Sequence, residues 1–164
     1  MDKSKLQRAP VIIDVEASGF GRGSYPIEVG VALEDGRTDC FLIRPAPGWT
    51  HWDAEAEAMH GITRELLTNH GKPAVEVAGQ LNELLMYKTV YSDAWGYDQT
   101  WLSLLFEVAE LPRRFRVESL RCLLEEAHLH HWQSGKEAAL NELRNARHRA
   151  LFVPENRPAP RNLL

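Results

Sequence analysis

No stretch of this 164-residue sequence is apolar for the length a bilayer-spanning helix needs, so no membrane partner is expected. Cysteine is scarce. Cys40 and Cys122 are the only two, far apart and outside any metal-type spacing. That argues against a disulfide framework and against a cysteine zinc site, and fits two inert thiols in a reduced, cytoplasmic compartment. The first eight residues lack an apolar run and do not read as a signal peptide. Positive charge is not in excess either. The formal net charge is −4, which does not announce a strongly basic nucleic-acid binder. There is no internal repeat, and no low-complexity tract apart from a proline-rich end.

What is present suits an ordinary globular domain. The chain is 44% apolar and 26% charged, and 164 residues can bury a sizeable core. We read residues 1–9 as a flexible N-terminus, 10–153 as one domain and 154–164 as a proline-rich tail. Strands are expected over 11–15, 27–33 and 38–44, with Asp35-Gly36 as a hairpin turn. Residues 45–59 read as a loop or short helix, and 62–68 as a short helix. Ala74, Ala78, Leu81 and Leu85 repeat at helical spacing behind Pro73. A strand over 89–92, a helix over 98–108 and a strand over 115–117 follow. Ser119 can cap a further helix to about residue 130. Gly135 breaks the chain, and Ala139, Leu143, Ala146 and Ala150 stripe a last helix. A meander followed by alternating helices and strands predicts an α/β fold, a mixed five-stranded sheet with helices packed on it.

The stretch with most chemical content is Val11-Ile12-Ile13-Asp14-Val15-Glu16-Ala17-Ser18-Gly19. A buried strand delivers two carboxylates one residue apart. Side chains alternate along a strand, so Asp14 and Glu16 share a side and Val15 faces away. Two carboxylates held together at a buried strand end are costly unless a cation sits between them, and oxygen ligands suit Mg²⁺ or Mn²⁺. The pattern alone is weak, because Asp53-Ala54-Glu55 repeats it.

Three further segments add weight. Asp98 follows the fourth strand where a helix begins, a place where it could equally be a helix N-cap. Met59-His60-Gly61-Ile62-Thr63 is a loop entering a short helix. His148 stands near the end of the last helix.

Together these segments resemble the DEDDh (DnaQ-like) family of 3′→5′ exonucleases, which includes the proofreading subunit of bacterial replicative polymerase, RNase T and oligoribonuclease. Asp14-Val15-Glu16-Ala17-Ser18-Gly19 is similar to the first motif, usually Asp-x-Glu-Thr-Thr-Gly. Pro26-Ile27-Glu28-Val29-Gly30-Val31 matches the family's second strand. Met59–Thr63 matches its hydrophobic-His-Gly-Ile-Thr segment. Tyr97-Asp98 matches the aromatic-Asp that closes the second motif, and His148-Arg149-Ala150-Leu151 matches the third, His-x-Ala-Leu. The resemblance runs from about Val11 to Val153.

The resemblance implies an RNase H-like fold and two-metal hydrolysis of the terminal phosphodiester of a single-stranded DNA or RNA 3′ end. Two Mg²⁺ or Mn²⁺ ions are expected from the family. Asp14, Glu16 and Asp98 would hold them, and His148 would be general base. Ala17, Ser18, Met59 and His60 would fit the terminal nucleotide. Several relatives dimerise, so a homodimer is among the expected partners. Two departures stand out. The second motif usually opens with His-Asn, and here Asp93-Ala94 stands there. The third motif needs an acid five residues after its histidine, and here that position is Val153. Glu155 or Asp93 are the candidate replacements. The alternative to a metal-dependent exonuclease is a catalytically inactive nucleic-acid-end binding or scaffold protein on the same fold.

Other clusters read more simply. His128, His130 and His131 fit a solvated helix end. Arg113, Arg114, Arg116, Arg121, Arg144, Arg147 and Arg149 fit solvated faces with some capacity for phosphates. Asp53, Glu55 and Glu57 read as a polar helix face. Trp49, Trp52, Trp95 and Trp101 could stack on bases, with Trp101 at core spacing.

Overall fold

The computed structural model describes residues 9–123 and 137–145. In chain order the elements are β1 (Val11–Ala17), β2 (Pro26–Ala32), β3 (Thr38–Leu42), α1 (Ala54–His60), α2 (Arg64–His70), α3 (Ala74–Leu85), β4 (Thr89–Ser92), α4 (Trp95–Val108) and β5 (Arg116–Ser119). A single 3₁₀ turn, Leu120–Leu123, follows β5. Residues 137–145 are helical and include Ala139 and Leu143 of the expected last helix. The expected helix to residue 130, Gly135, Ala146, Ala150 and the tail lie outside the described residues.

The strands form one sheet in the order β3-β2-β1-β4-β5. β1, β2 and β3 make the antiparallel meander, while β4 and β5 are parallel to β1. The turn between β2 and β3 works as Asp35-Gly36 suggests. The Leu33 N–H donates to the Arg37 carbonyl at 2.8 Å, and Gly36 takes φ 83°, a conformation glycine adopts without penalty. The mixed five-stranded sheet is therefore as expected, and its central strand carries the acids.

The core follows from strand alternation. Ile13 on β1 and Val29 and Val31 on β2 are fully buried and cluster with Val77, Leu81 and Leu85 of α3 and Leu102 and Leu105 of α4. On the other face, Asp14 pairs with Gly30 in the β1/β2 register. There Leu143 closes over Gly30, whose added Cβ would lie 3.2 Å from the leucine Cδ2. Residues 137–145 thus pack on the face of the sheet that carries Asp14. A smaller cluster of Tyr25, Ile27, Leu42, Ile62 and Leu67 lies under α2.

Several boundaries differ from those read in the sequence. β1 runs to Ala17 because β2 keeps pairing with it as far as Pro26, through an irregularity between Glu16 and Ala17. β3 stops at Leu42, since Ile43 turns to bridge Lys72. α1 is a helix because Asp53 caps it, its carboxylate accepting from the Glu55 N–H at 2.9 Å. α4 begins at Trp95, three residues before the expected Asp98, with Ala94 as its uncapped N-cap.

Gly71 closes α2 where the chain presses on the end of β3. A Cβ there would overlap the Leu67 carbonyl oxygen and lie 2.6 Å from the Arg44 nitrogen. Both are backbone atoms and cannot rotate away. Gly71→Ala is expected to cost about 1–3 kcal/mol in urea unfolding. Gly79→Ala in α3, with nothing within 4 Å of the added Cβ, should be neutral or stabilising by up to about 1 kcal/mol. Equal effects of the two substitutions would refute the packing assigned to Gly71.

Candidate active site

β1 places the first two acids. Its burial alternates strictly, with Val11, Ile13, Val15 and Ala17 buried and Ile12, Asp14 and Glu16 half-buried. Asp14 and Glu16 therefore share a face, as the alternation requires. The parallel register of β4 sets Val90 beside Val11 and Tyr91 beside Ile12. Two residues further along, Asp93 comes level with Asp14. The first turn of α4 then brings in Asp98, which is only 1% exposed. Ligand oxygens of Asp14, Asp93 and Asp98 all lie within 4.8 Å of one another.

Asp98 is not a helix cap. Its Oδ2 accepts from the Ser92 hydroxyl at 2.6 Å, across the β4–α4 turn. Burial pushes its carboxyl up to about 8. The Ser92 hydrogen bond opposes the shift, and the Asp14, Asp93 and Glu16 charges reinforce it. An acid buried in this company keeps its proton at neutral pH unless a cation replaces it. A divalent cation fits this donor set, because it would relieve both the burial and the mutual repulsion.

Asp14, Glu16 and Asp98 line a cleft of about 300 Å³. Its remaining wall is largely apolar. Met59, Phe20 and Tyr97 line it and are 75%, 59% and 58% exposed, an unusual fraction for large apolar side chains. Phe20 meets Tyr97 edge-on at 5.3 Å, and Tyr97 stacks on Trp101 at 5.7 Å. Acids at the floor and aromatic faces at the rim make a pocket suited to a charged group attached to a flat ring.

Of the residues that the motif assigns to the terminal nucleotide, Ala17, Met59 and His60 line the cleft. His60 is buried, and its Nδ1 accepts from the Ile62 N–H at 3.0 Å, which fixes the ring. Ser18 is placed differently. It is buried behind the cleft wall, its hydroxyl accepting from the Tyr25 N–H and bonded to His51 Nδ1 at 3.1 Å. Its carbonyl accepts from the Asp53 N–H at 2.8 Å, so Ser18 ties the exit of β1 to the start of α1. Gly19 permits that approach. It has φ 147°, and a Cβ there would lie 2.6 Å from the Asp53 Cβ. This close contact brings α1, and with it Met59 and His60, onto the cleft.

His148, Val153, Glu155, Arg147, Arg149 and the histidines 128, 130 and 131 lie outside the described residues. Trp101 is core, as its spacing suggests, yet its face also lines the cleft. Trp52 and Trp95 spend their indole N–H groups on Glu57 and on the Val117 carbonyl. Arg113, Arg114 and Arg116 gather with Lys88 around a separate cavity of about 550 Å³ at the other end of β4 and β5. They take no part in the cleft. Phe20 was missed by motif reading, although a large aromatic between Gly19 and Gly21 is a signal in itself.

No protein-family model matches the sequence, and no curated protein sequence matches it. Solved structures do. E. coli exonuclease I in complex with a dT13 oligonucleotide superposes with a TM-score of 0.57 at 15% identity, over 67% of this chain and 27% of that one. Apo exonuclease I gives 0.58 at 15% identity, over 67% and 28%. The zinc-bound E. coli exonuclease I complex with single-stranded DNA gives 0.56 at 14% identity, over 67% and 27%. The fold is RNase H-like. This chain matches little more than a quarter of the length of exonuclease I.

Proposed function

We propose that this chain is a divalent-cation-dependent 3′→5′ exonuclease domain of the DEDDh type, acting on the end of a single strand. The observation that supports the reading best is convergence. Asp14, Glu16, Met59, His60 and Asp98 come from three separate sequence segments, were picked out by motif alone, and line one cleft. Structural neighbours that bind single-stranded oligonucleotides support the substrate class.

In this reading Asp14, Glu16 and Asp98 hold the cation. The cation would supply Lewis-acid polarisation of the scissile phosphate and a water of lowered pKa. Phe20, Met59 and Tyr97 offer apolar faces for the terminal base and sugar, and such contacts are sequence-tolerant. His60, with its ring fixed from behind, packs where the terminal nucleotide enters. His148 is the residue assigned to accept the proton of the attacking water, on the strength of the third motif.

Incubation of 5′-labelled, 3′-unpaired DNA and RNA oligonucleotides with Mg²⁺ or Mn²⁺ tests this directly. The expected result is a ladder of products shortened from the 3′ end, abolished by EDTA. Oligonucleotide binding with no shortening under any of these conditions would favour the end-binding alternative, which the valine at position 153 keeps in view.

A further inference from the structure

The sequence departs from the DEDDh pattern twice, and the two departures are complementary in charge. Val153 stands where the third motif carries an acid. Asp93 stands in the second motif where the pattern carries a histidine. The structure shows where the added acid sits. β4 ends at Ser92, and its parallel register with β1 carries Asp93 to the level of Asp14. α4 then starts at Trp95, so Asp93 lies on the short loop between β4 and α4. Its carboxylate has an oxygen within 4.8 Å of those of both Asp14 and Asp98.

We infer that Asp93 is a cation ligand of this site, replacing the carboxylate that the third motif lacks. The inference rests on the function proposed above. Its physical basis is ligand reach. Two oxygens on opposite sides of one Mg²⁺ stand about 4.0–4.2 Å apart. The three carboxylates are already within 4.8 Å, so a small closure of side chains on a half-exposed loop places all of them on one ion. The charge argument agrees. Three converging carboxylates match a divalent cation, whereas a histidine at position 93 would add no negative charge. The acid has in effect moved from the third motif to the loop after β4, and the ligand set becomes Asp14, Glu16, Asp93 and Asp98.

The test is Mn²⁺ affinity, measured on the full chain by calorimetry and by electron paramagnetic resonance of free Mn²⁺, for the wild type, Asp93→Asn, Asp93→Glu and Asp14→Asn. Asparagine keeps the shape of the loop and removes the charge, and circular dichroism checks that each variant is folded. Asp93→Asn is expected to weaken Mn²⁺ binding about 10–100-fold, with Asp93→Glu retaining most of the affinity. Wild-type affinity in folded Asp93→Asn overturns the inference. If in the same series Asp14→Asn does abolish binding, the function proposed above stands and only the role of Asp93 falls. If Asp14→Asn also binds Mn²⁺ like the wild type, or the wild type binds none, both fall together.

Discussion

Replacing Asp14 by alanine is expected to lower the rate of 3′-end shortening by roughly 10³-fold or more while leaving the protein folded. Removing one well-placed electrostatic group from an active site costs about 10²–10³-fold, and a ligand shared by the whole site sits at the upper end. Asp14 is central to the cluster. It lies on the middle strand of the sheet, shares a face with Glu16, and approaches both Asp93 and Asp98. Folding should survive because the core side of β1 is Val11, Ile13, Val15 and Ala17, none of which is touched. The metal-free variant should even be slightly more stable, since it removes one of the crowded carboxylates, the neighbour of Asp93 and Glu16. Gel resolution of labelled oligonucleotides measures the first effect, and thermal melting the second. A variant that keeps a tenth or more of wild-type activity would be incompatible with Asp14 as a cation ligand.

The second large effect concerns pH. The Asp98 carboxyl titrates at about 8 in the folded chain, against an ordinary value of 3.8. Burial is the main cause. Between those values the native state holds a proton that the unfolded state has released. The stability this contributes is fully present below about pH 4 and is lost as pH rises towards 8. The slope approaches about 1.4 kcal/mol per pH unit across that window for one proton. Metal-free protein should therefore melt at progressively lower temperature from pH 5 to pH 8, and Asp98→Asn should flatten that decline. Asparagine can still accept from Ser92, so the variant should be more stable than the wild type at pH 8. It should also be inactive, which would be a case of stability given up for a binding site. Added Mn²⁺ should restore the wild-type melting temperature increasingly as pH rises towards and past 8, because proton competition for Asp98 falls away there. A wild-type melting curve with no more pH dependence than that of Asp98→Asn would contradict the buried, protonated carboxyl.

These two acids also show how much of the molecule was legible in the sequence. The sheet was readable because alternation in Val11–Ala17 and the Asp35-Gly36 turn are local signals with direct geometric meaning. Boundaries that depend on tertiary pairing were not. β1 extends past Val15 only because Pro26 remains opposite it. Asp98 looked like an N-cap because aspartate before a helical run usually is one. In the fold it sits one turn inside α4 and bonds to Ser92 instead. Nothing within a few residues of Asp98 encodes that choice, since the burial that drives it comes from packing against β1. Ser18 shows the same limit. Its place in a motif suggested a substrate contact, whereas hydrogen bonds to Tyr25, His51 and Asp53 turn it into the clasp between β1 and α1. Phe20 was visible as a residue but not as part of the cleft, because it lies in a loop whose course is set by long-range contacts.

The central proposal is that Asp14 and Asp98 share a divalent cation in the cleft below Phe20 and Tyr97. Crystals soaked in Mn²⁺ and measured at a wavelength where manganese scatters anomalously would show this with least interpretation. An anomalous peak at about 2.2 Å from carboxylate oxygens of both Asp14 and Asp98 is the expected result. A clean map in which those carboxylates are well ordered, with no peak between them at millimolar Mn²⁺, would show that the cleft is not a cation site.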